Sequence, residues 1–524
     1  MKRLIAGLLL IGYLPGAVAQ TAAPAKPRLI VTIVVDQFRY DYLLRFRSSY
    51  TAGFKRLLEH GAVFDDAHHT AFPTVTAVGH STLLSGAPPA MSGIVGNEWY
   101  DRESKQTVTS VSDPATRLVG GIPGTEHMPG ASPRRMLVST LGDEIKMQGR
   151  KAKVIGISIK DRGAILPAGH MADAAYWFDP DCYRWITSTY YMDRLPDWAE
   201  EINRASPPGR ALGASWFALD AKPNDPPLCS MVAGKDDVPY CGSLEASPWG
   251  NEIIEEFAER AVVAEEMGQH EGTDVLSVSF SANDYVGHAA GPDAPAVRDI
   301  SIRTDLLLGK FMDLVDSRVG AANVVYVLTA DHGVAPVPEV NQARKMPGGR
   351  LSDMTLGVTI QQALEKKYGP GKWVAGWAGS TPYLNRGLME KYRLNEADVE
   401  RTAAEAVRAL PHIFRVYTAQ QLSAGPLPDD AVSVAVRNGF FPRRSGDLLI
   451  IPEGFYLYDA TGTSHGTPFN YDTHVPLIFM GKGIRAGHYY GKASVTDVAP
   501  TLAAIVGVQE PSGSVGRVLN DIWQ

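Results

Sequence analysis

Cysteine is scarce in this sequence, because its 524 residues include only three, Cys182, Cys229 and Cys241. Three cysteines can form at most one disulfide within the chain, so a disulfide-rich scaffold is excluded. Cys229 and Cys241 are close enough in sequence to close a short loop, with Cys182 left over. The spacing alone does not decide between that pair and three free thiols.

An excess of basic residues is also missing. Lys and Arg total 50 against 57 for Asp and Glu, which gives a formal net charge of −7. A protein that binds the nucleic-acid backbone usually carries the opposite sign. We therefore expect no nucleic-acid partner.

Long apolar runs are missing as well, apart from a short one near the first residue. A Lys-Arg pair precedes apolar residues 4–14, and Ala17 and Ala19 provide the small residues of a cleavage site. This pattern predicts a signal peptide over residues 1–19, cleaved near Ala19, followed by a linker over residues 20–27. Since the apolar run is too short to span a bilayer, we expect a periplasmic or secreted protein without stable membrane association.

The sequence does contain enough apolar residues, 45%, to build large buried cores, and they are arranged in a repeated pattern. Four short apolar runs each lead to an ionisable residue: 29–35 to Asp36, 153–159 to Lys160, 275–280 to Asp284, and 324–329 to Asp331. Such runs are typical of strands buried on both faces of a parallel sheet. Helical patterns over 135–147 and 293–315 lie between them. We therefore predict an α/β fold, a doubly wound and mostly parallel sheet flanked by helices.

Two stretches break this alternation of strands and helices. Residues from about 172 to 247 are rich in aromatics, Pro and Gly, and residues from about 342 to 458 contain a helical run at 359–367. Length alone allows about three domains or one α/β domain with insertions. We interpret both stretches as insertions that form a cap or crown on a catalytic domain over 28–524, because loops this long are usually functional.

The ionisable residues at the strand ends predict a binding site, since ligands bind open α/β sheets at the carboxyl ends of the strands. Asp284 and His288 are four residues apart, which places them on one face of a helix. Asp331 and His332 directly follow a strand. With Asp36 and a later histidine they form a mixed carboxylate and imidazole set that zinc accepts, with enough ligands for two ions.

Thr76 lies just before a predicted helix start in the segment 71–86. Its hydroxyl is suited to an ordinary helix N-cap. The same position also offers backbone N–H groups and a helix dipole, an arrangement that binds phosphate. A threonine hydroxyl becomes a nucleophile at neutral pH only with help, and coordination to a divalent ion supplies it.

Several short motifs stand out along the chain. They are Pro-Thr-Val-Thr at 73–76, His80, Gly-Ile at 93–94, Asn-Asp-Tyr-x-x-His-x-x-Gly at 283–291 and Ala-Asp-His-Gly at 330–333. Together they resemble the alkaline phosphatase superfamily, in the branch of the type I phosphodiesterases and nucleotide pyrophosphatases. Residues 96–101 and 159–169 further resemble the bacterial phosphate-irrepressible, monomeric alkaline phosphatases.

The resemblance implies a role for each matching residue. Thr76 is the nucleophile that becomes a phosphothreonine. The two proposed zinc sites are Asp36, Asp331 and His332 with Thr76, and Asp284 and His288 with a histidine further along the chain. The last ligand is His465 or His474, and we favour His465 because the family motif is a His-Gly after a glycine-rich turn. Because Asp36 and His465 then belong to one site, the resemblance implies a single catalytic domain.

Asn97, Lys160 and Arg162 distinguish monoesterases from diesterases in this resemblance. A monoester dianion keeps negative charge on three terminal oxygens, so additional cationic and amide donors favour it over a singly charged diester. We expect Lys160 and Arg162 to point to the same side by strand alternation, with Asp161 turned away. The alternative is that the two cations only form surface ion pairs.

The sequence thus predicts an exported alkaline phosphatase that contains two Zn²⁺ per subunit and hydrolyses small-molecule phosphate monoesters with broad leaving-group tolerance. By resemblance it is a monomer. The first alternative is a phosphodiesterase or nucleotide pyrophosphatase of the same superfamily. The second is a phosphate-binding protein without catalytic activity.

Overall fold

The computed structural model describes residues 26–523, except Glu126, Arg150, 206–212 and 233–240. The predicted signal peptide and most of the predicted linker therefore lie outside the described residues. Within the described chain, no helix combines the length and apolar character needed to cross a membrane.

A large central sheet organises the fold. Its eleven strands are β1 Leu29–Val35, β2 Ala62–Phe64, β3 Ser112–Val119, β4 Pro129–Ala131, β5 Val154–Ser158, β6 Ala174–Asp179, β7 Arg184–Ser188, β8 Asp274–Phe280, β9 Val324–Thr329, β10 Leu477–Gly481 and β11 Gly487–Tyr489. They lie in the order β11-β2-β10-β9-β1-β8-β5-β6-β7-β3-β4. The five neighbours β9, β1, β8, β5 and β6 run parallel, whereas β10 and β7 pair with them antiparallel.

Helices cover the sheet and fill the connections. They are α1 Tyr40–Arg45, α2 Gly53–His60, α3 Thr76–Ser85, α4 Pro89–Ser92, α5 Leu141–Met147, α6 Asp161–Ala168, α7 Asp197–Ala205, α8 Pro248–Ala264, α9 Ala282–Ala290, α10 Pro295–Val319, α11 Pro338–Ala343, α12 Asp353–Tyr368, α13 Arg386–Lys391, α14 Glu396–Arg408, α15 Ala419–Ala424, α16 Ala431–Gly439, α17 Asn470–Thr473 and α18 Val498–Val506. The predicted α/β class with a helix-flanked sheet is confirmed, and its parallel part is the centre of the sheet.

The four strands that the apolar runs predict are β1, β5, β8 and β9, and every residue of each is buried. They are adjacent in the sheet and in close register, with Val35 opposite Phe280 and Val34 opposite Thr329. Their carboxyl ends therefore meet at one edge. This register brings together residues that are hundreds of positions apart in sequence.

The two predicted insertions differ in structure. The first part of the 172–247 insertion belongs to the central sheet, because it contains strands β6 and β7. The aromatic side chains of these strands, including Trp177 and Trp185, are buried in the core. Within residues 174–188, the aromatic residues that suggested a cap thus contribute to the core. The second contains its own apolar core around Trp373 and Val399, and a separate strand pair, Ile413–Thr418 with Leu448–Pro452.

The structure pairs two of the cysteines. Cys229 and Cys241 form a disulfide with a Cα–Cα distance of 5.1 Å. Cys182 is a free thiol whose Sγ donates a hydrogen bond to Asp179 Oδ2 at 3.1 Å.

Candidate active site

Thr76 is the first residue of α3, and the residue at the N-cap position is Val75 in extended conformation. Among the described residues, no side chain caps this helix, so the Thr76 hydroxyl does not act as an ordinary N-cap. The side chain is almost fully buried. The hydroxyl is therefore held at a helix N-terminus, where backbone N–H groups and the helix dipole favour an anion.

A glycine allows α3 to approach the strand end that carries Asp331. A Cβ added to Gly79, one turn after Thr76, would lie 2.3 Å from Asp331 O and 2.6 Å from Asp331 Cα. Any side chain would push the helix and the Asp331 backbone apart. Gly79 thus sets the distance between the predicted nucleophile and a predicted metal ligand.

Asp36, Asp331 and His332 form the first ligand cluster and are all buried. His332 Nε2 lies 3.6 Å from Asp36 Oδ1 and 3.4 Å from Asp331 Oδ2. These three atoms form no hydrogen bond to any described residue, and Asp331 Oδ2 also lies 3.3 Å from Nδ1 of the buried His80. Buried polar atoms are almost always hydrogen-bonded, so three atoms that face each other without a hydrogen bond fit a bound cation.

Asp284, His288 and His465 form the second cluster. The Nε2 atoms of His288 and His465 lie 3.2 Å and 3.8 Å from Asp284 Oδ1. His332 also approaches this cluster, since its ring stacks on His465 with a centroid distance of 3.5 Å. The two clusters are therefore neighbours. Asp284 and His288 lie on one face of α9, as the four-residue spacing predicts.

Backbone carbonyls orient the three imidazole rings. The Nδ1 atom of His288 lies 2.8 Å from Thr463 O, that of His332 lies 2.9 Å from Gly333 O, and that of His465 lies 2.8 Å from Thr74 O. A carbonyl can only accept, so each Nδ1 is the protonated donor. Each Nε2 is left with a free lone pair directed into the clusters, the usual arrangement of histidines that bind a metal.

The carboxylates carry charge that requires compensation. Burial, together with the charge of Asp331, raises the pKa of Asp36. Burial also opposes ionisation of Asp284, but Lys160 and His288 outweigh it and lower its pKa. Several carboxylates in one dry site are stable only with cations among them. This donor set of carboxylate oxygens and imidazole nitrogens fits zinc.

Lys160 provides one such positive charge. Its Nζ lies 2.6 Å from Asp36 Oδ2 and 2.6 Å from Asp284 Oδ2, and 3.5 Å from Thr76 Oγ1. Burial opposes the charge, yet Asp284 and Asp36 raise the Lys160 pKa. The side chain is 4% exposed, so the alternative of a surface ion pair does not describe it.

The expectation of strand alternation at this position is wrong. Lys160 is the N-cap residue of α6, and Asp161 and Arg162 lie in the first turn of that helix. The strand β5 ends at Ser158, four residues before Arg162, so strand alternation does not extend to Lys160 and Arg162. The helix N-terminus, and not a strand face, therefore carries Lys160 and Arg162.

Arg162 and Asn97 complete the predicted set. Arg162 Nε is buried and has no hydrogen-bond partner among the described residues, and its guanidinium lies 3.6 Å from Asp161 Oδ1. Asn97 Oδ1 accepts a hydrogen bond from Ala77 N at 2.9 Å. This bond fixes Asn97 at the N-terminus of α3, next to Thr76, and leaves its amide nitrogen as a donor.

The remaining histidines lie outside the two clusters. His474 Nε2 lies 3.0 Å from Asp65 O, and its ring stacks on Tyr40 and His68. His80 lies behind Thr76, with Nδ1 2.9 Å from Thr76 O. His69 Nε2 lies 2.9 Å from Ala330 O. The structure thus places His465, and not His474, beside Asp284.

Sequence reasoning missed Gln37, which follows Asp36 in a left-handed conformation with φ 60°. Its backbone N–H donates to Asp331 Oδ1 at 3.2 Å, and its Nε2 donates to Asp284 Oδ1 at 2.6 Å. One residue thereby bridges both clusters, with its backbone N–H on Asp331 and its side chain on Asp284. Gly287 makes room for it, because a Cβ there would lie 1.8 Å from Gln37 Oε1. The available signal was the polar residue directly after Asp36.

A cavity of about 520 Å³ opens beside the clusters. Asn97, His288 and His465 form part of its wall, and residues of the second insertion, including Tyr456 and Tyr458, form another part. The cavity adjoins the imidazoles of the second cluster. Val75, the residue before Thr76, also lines it.

Comparison with known sequences shows extensive similarity. The model of the family "Type I phosphodiesterase / nucleotide pyrophosphatase" matches residues 30–474. Alkaline phosphatase PafA of Elizabethkingia meningoseptica is 33% identical over 546 residues, which cover 99% of each chain. Alkaline phosphatase PhoV of Synechococcus elongatus is 34% identical over 536 residues, 97% of this chain and 94% of PhoV.

Comparison with solved structures agrees with the similarity in sequence. The crystal structure of PafA matches with a TM-score of 0.88 at 32% identity, covering 96% of this chain and 100% of that chain. The crystal structure of a PafA variant matches equally well. In that variant, one threonine is replaced by serine, and one asparagine, one lysine and one arginine are each replaced by alanine. Murine ectonucleotide pyrophosphatase/phosphodiesterase 5 matches with a TM-score of 0.53 at 13% identity, covering 95% of this chain and 100% of that chain, a likeness in fold alone.

Proposed function

The chain belongs to the type I phosphodiesterase and nucleotide pyrophosphatase family of the alkaline phosphatase superfamily, and we propose that it hydrolyses phosphate monoesters through a phosphothreonine at Thr76. The resemblance read from its motifs is thereby confirmed. Relatives named alkaline phosphatase align over nearly its full length, so the chain is a phosphoric monoester hydrolase. The two zinc ions, the covalent intermediate and the roles of single residues are our proposal.

The position of Thr76 carries this proposal. Its buried hydroxyl lies at the N-terminus of α3, 3.5 Å from Lys160 Nζ and beside Asn97. In the first half-reaction Thr76 Oγ1 attacks phosphorus, the bond from phosphorus to the leaving oxygen breaks, and the alcohol departs. In the second, water attacks the phosphothreonine, and phosphate and the free hydroxyl are released.

Two clusters would hold the metal ions. Asp36, Asp331 and His332 would bind one zinc with Thr76, and Asp284, His288 and His465 the other. Zinc in these positions would supply Lewis acidity, which lowers the pKa of a bound hydroxyl or water and stabilises a departing alkoxide. Gln37 would keep Asp284 and Asp331 in place by donating to one oxygen of each.

Asn97, Lys160 and Arg162 would bind the terminal oxygens of the phosphoryl group. The loose transition state of phosphoryl transfer keeps charge on those oxygens. The Lys160 ammonium supplies a compact positive charge, Arg162 a planar fork with an unpartnered Nε, and Asn97 an amide donor. Three such donors favour a monoester dianion over a diester.

The PafA variant supports this assignment. The residue types replaced in it are threonine, asparagine, lysine and arginine. Thr76, Asn97, Lys160 and Arg162 are the same four types. Lys160 Nζ lies 3.5 Å from Thr76 Oγ1, Asn97 accepts a hydrogen bond from the residue after Thr76, and Arg162 lies two residues after Lys160 in the first turn of α6. The leaving group would occupy the cavity of about 520 Å³ beside His288 and His465, which is roomy enough for varied alcohols.

We also propose that the protein is exported, to the periplasm or the medium, and that it is a monomer. The disulfide between Cys229 and Cys241 supports export, since such bonds persist in oxidising compartments. The native N-terminus of the mature protein and its mass in solution would test both statements.

The decisive experiment combines metal analysis with a rate ratio. We expect about two zinc ions per purified chain, loss of activity with a chelator and its return with zinc. Turnover of an aryl phosphate should exceed that of the matched aryl phosphodiester by orders of magnitude. A preference for the diester would favour the phosphodiesterase alternative, and phosphate binding without turnover would favour the binding protein.

A further inference from the structure

Asp472 is a buried carboxylate outside the two ligand clusters. It lies in the short helix α17, and its side chain is fully shielded from solvent. Oδ2 accepts two hydrogen bonds from Thr467, from the backbone N–H at 2.7 Å and from Oγ1 at 2.6 Å. No described lysine or arginine forms an ion pair with it. Burial raises the pKa of this carboxyl to about 7, although the bonds from Thr467 act in the opposite direction.

The contacts of Thr467 lead to the predicted nucleophile and to a predicted metal ligand. Its carbonyl oxygen accepts a hydrogen bond from Thr74 Oγ1 at 2.8 Å. Thr74 O in turn accepts the bond from His465 Nδ1 at 2.8 Å. Thr74 is two residues before Thr76. Thr467 therefore links the loop of His465 to the loop of the nucleophile.

The main chain next to Asp472 contacts the other predicted ligands. Asp472 O accepts a hydrogen bond from Gly333 N at 2.7 Å, and Tyr471 O accepts one from Val334 N at 2.9 Å. A Cβ at Gly333 would lie 2.2 Å from Tyr471 O, so the two segments are in direct contact. Gly333 directly follows His332, whose ring stacks on that of His465.

We infer that Asp472 is a positioning residue that fixes His465 and the Thr74–Thr76 loop relative to His332. The carboxylate holds the His465 loop through Thr467, and the adjacent main chain holds the segment of His332. Because this inference concerns ligands of the proposed zinc sites, it rests on the proposed function. Its role is geometric: the site needs an oxygen acceptor at Oδ2.

The test uses the full chain, stripped with a chelator and titrated with Co²⁺, whose visible absorption reports its ligands. Asp472→Ala removes the acceptor, so we expect the weaker of two Co²⁺ dissociation constants to rise by about 10- to 100-fold, with an altered spectrum. Asp472→Asn keeps an oxygen that accepts from Thr467, so it should restore binding to within a few fold of the native protein. Thr467→Val should weaken binding by an intermediate factor.

A matched control separates positioning from general stability. Asp305 is another buried carboxylate, and it accepts backbone N–H bonds from Thr51, Ala52 and Phe54 outside the two clusters. Asp305→Ala should lower the thermal midpoint while leaving Co²⁺ affinity and spectrum unchanged.

Native-like Co²⁺ binding in folded Asp472→Ala would overturn the inference. If that variant does not fold, native-like Co²⁺ binding in Thr467→Val, or failure of Asp472→Asn to restore binding, would overturn it. A native chain that binds fewer than two Co²⁺ ions gives a separate result: it overturns the proposed pair of metal sites, and the inference with it.

Discussion

The ammonium nitrogen of Lys160 lies 3.5 Å from the hydroxyl oxygen of Thr76. The same nitrogen contacts one carboxylate of each ligand cluster, Asp36 and Asp284, at 2.6 Å. Lys160 therefore stands at the junction of the nucleophile and both predicted metal sites. Positive charge in this position suits a substrate with two negative charges more than one with a single charge.

Replacing Thr76 tests the covalent step. Thr76→Ala should lower turnover of an aryl phosphate by at least about 10³-fold, because the nucleophilic oxygen is lost. Thr76→Ser keeps that oxygen and should retain measurable activity. Acid quenching with labelled substrate should trap phosphate on the native protein and on the serine variant. Equal labelling of the alanine variant would contradict the assignment.

Replacing Arg162 tests whether this residue favours doubly charged monoesters over singly charged diesters. Arg162→Ala removes a fork whose Nε has no partner in the described chain, and we expect kcat/KM for monoesters to fall by about 10²–10³-fold. The rate for a matched diester should fall far less. Arg401→Ala is the control, since Arg401 pairs with Asp398 on the exposed face of α14. Equal losses for the two ester classes would speak against this role.

Replacing Gly79 tests the approach of α3 to Asp331. Gly79→Ala introduces a Cβ within 2.3 Å of Asp331 O, and we expect a loss of roughly 1–3 kcal/mol in the free energy of unfolding, with reduced activity. Gly357→Ala is a matched control in α12, where a Cβ meets nothing within 4 Å. That change should stabilise by about 0.5–1 kcal/mol. Denaturant titration measures both, and equal effects would refute the steric argument.

His69 should make the fold sensitive to acid. Burial lowers the pKa of His69 to about 4, below the value near 6.5 of an unfolded chain. The unfolded state therefore binds a proton first as the pH falls. The contribution of neutral His69 to the free energy of unfolding is complete above pH 6.5. It is lost between about pH 6.5 and 4, at up to about 1.4 kcal/mol per pH unit.

The comparison variant is His69→Gln, whose amide can still donate to Ala330 O. Thermal midpoints from pH 7.5 to 4.5, with chelator present, should fall more steeply for the native protein than for the variant. Parallel curves for the two proteins would show that His69 does not titrate in this range.

Much of the site could be predicted because its ligands follow uninterrupted apolar strands. Asp36 directly follows β1, Asp331 lies two residues after the end of β9, and the order of the sheet brings those ends together. The Asp284 and His288 pair was visible from helical spacing. These signals are local, and a short stretch of sequence is enough to show them.

Other features depend on contacts that no short stretch reveals. Gln37 bridges two clusters only because the backbone adopts a left-handed turn there and Gly287 leaves space. Lys160 was expected on a strand, but β5 ends at Ser158 and Lys160 is the N-cap residue of α6. The aromatic residues of β6 and β7 suggested a cap, because composition does not distinguish a buried edge of a sheet from a lid.

The predicted ligands come from positions 36 to 465, and the loop of His465 is held by Asp472 further along the chain. Neither cluster is complete in a nascent chain until most of the sequence has been made. Under the proposed function, both metal sites would therefore be completed only after most of the chain has been synthesised. If the chain is exported and binds zinc as proposed, it would acquire the metal in the destination compartment, and the free metal concentration there would set the fraction of active molecules.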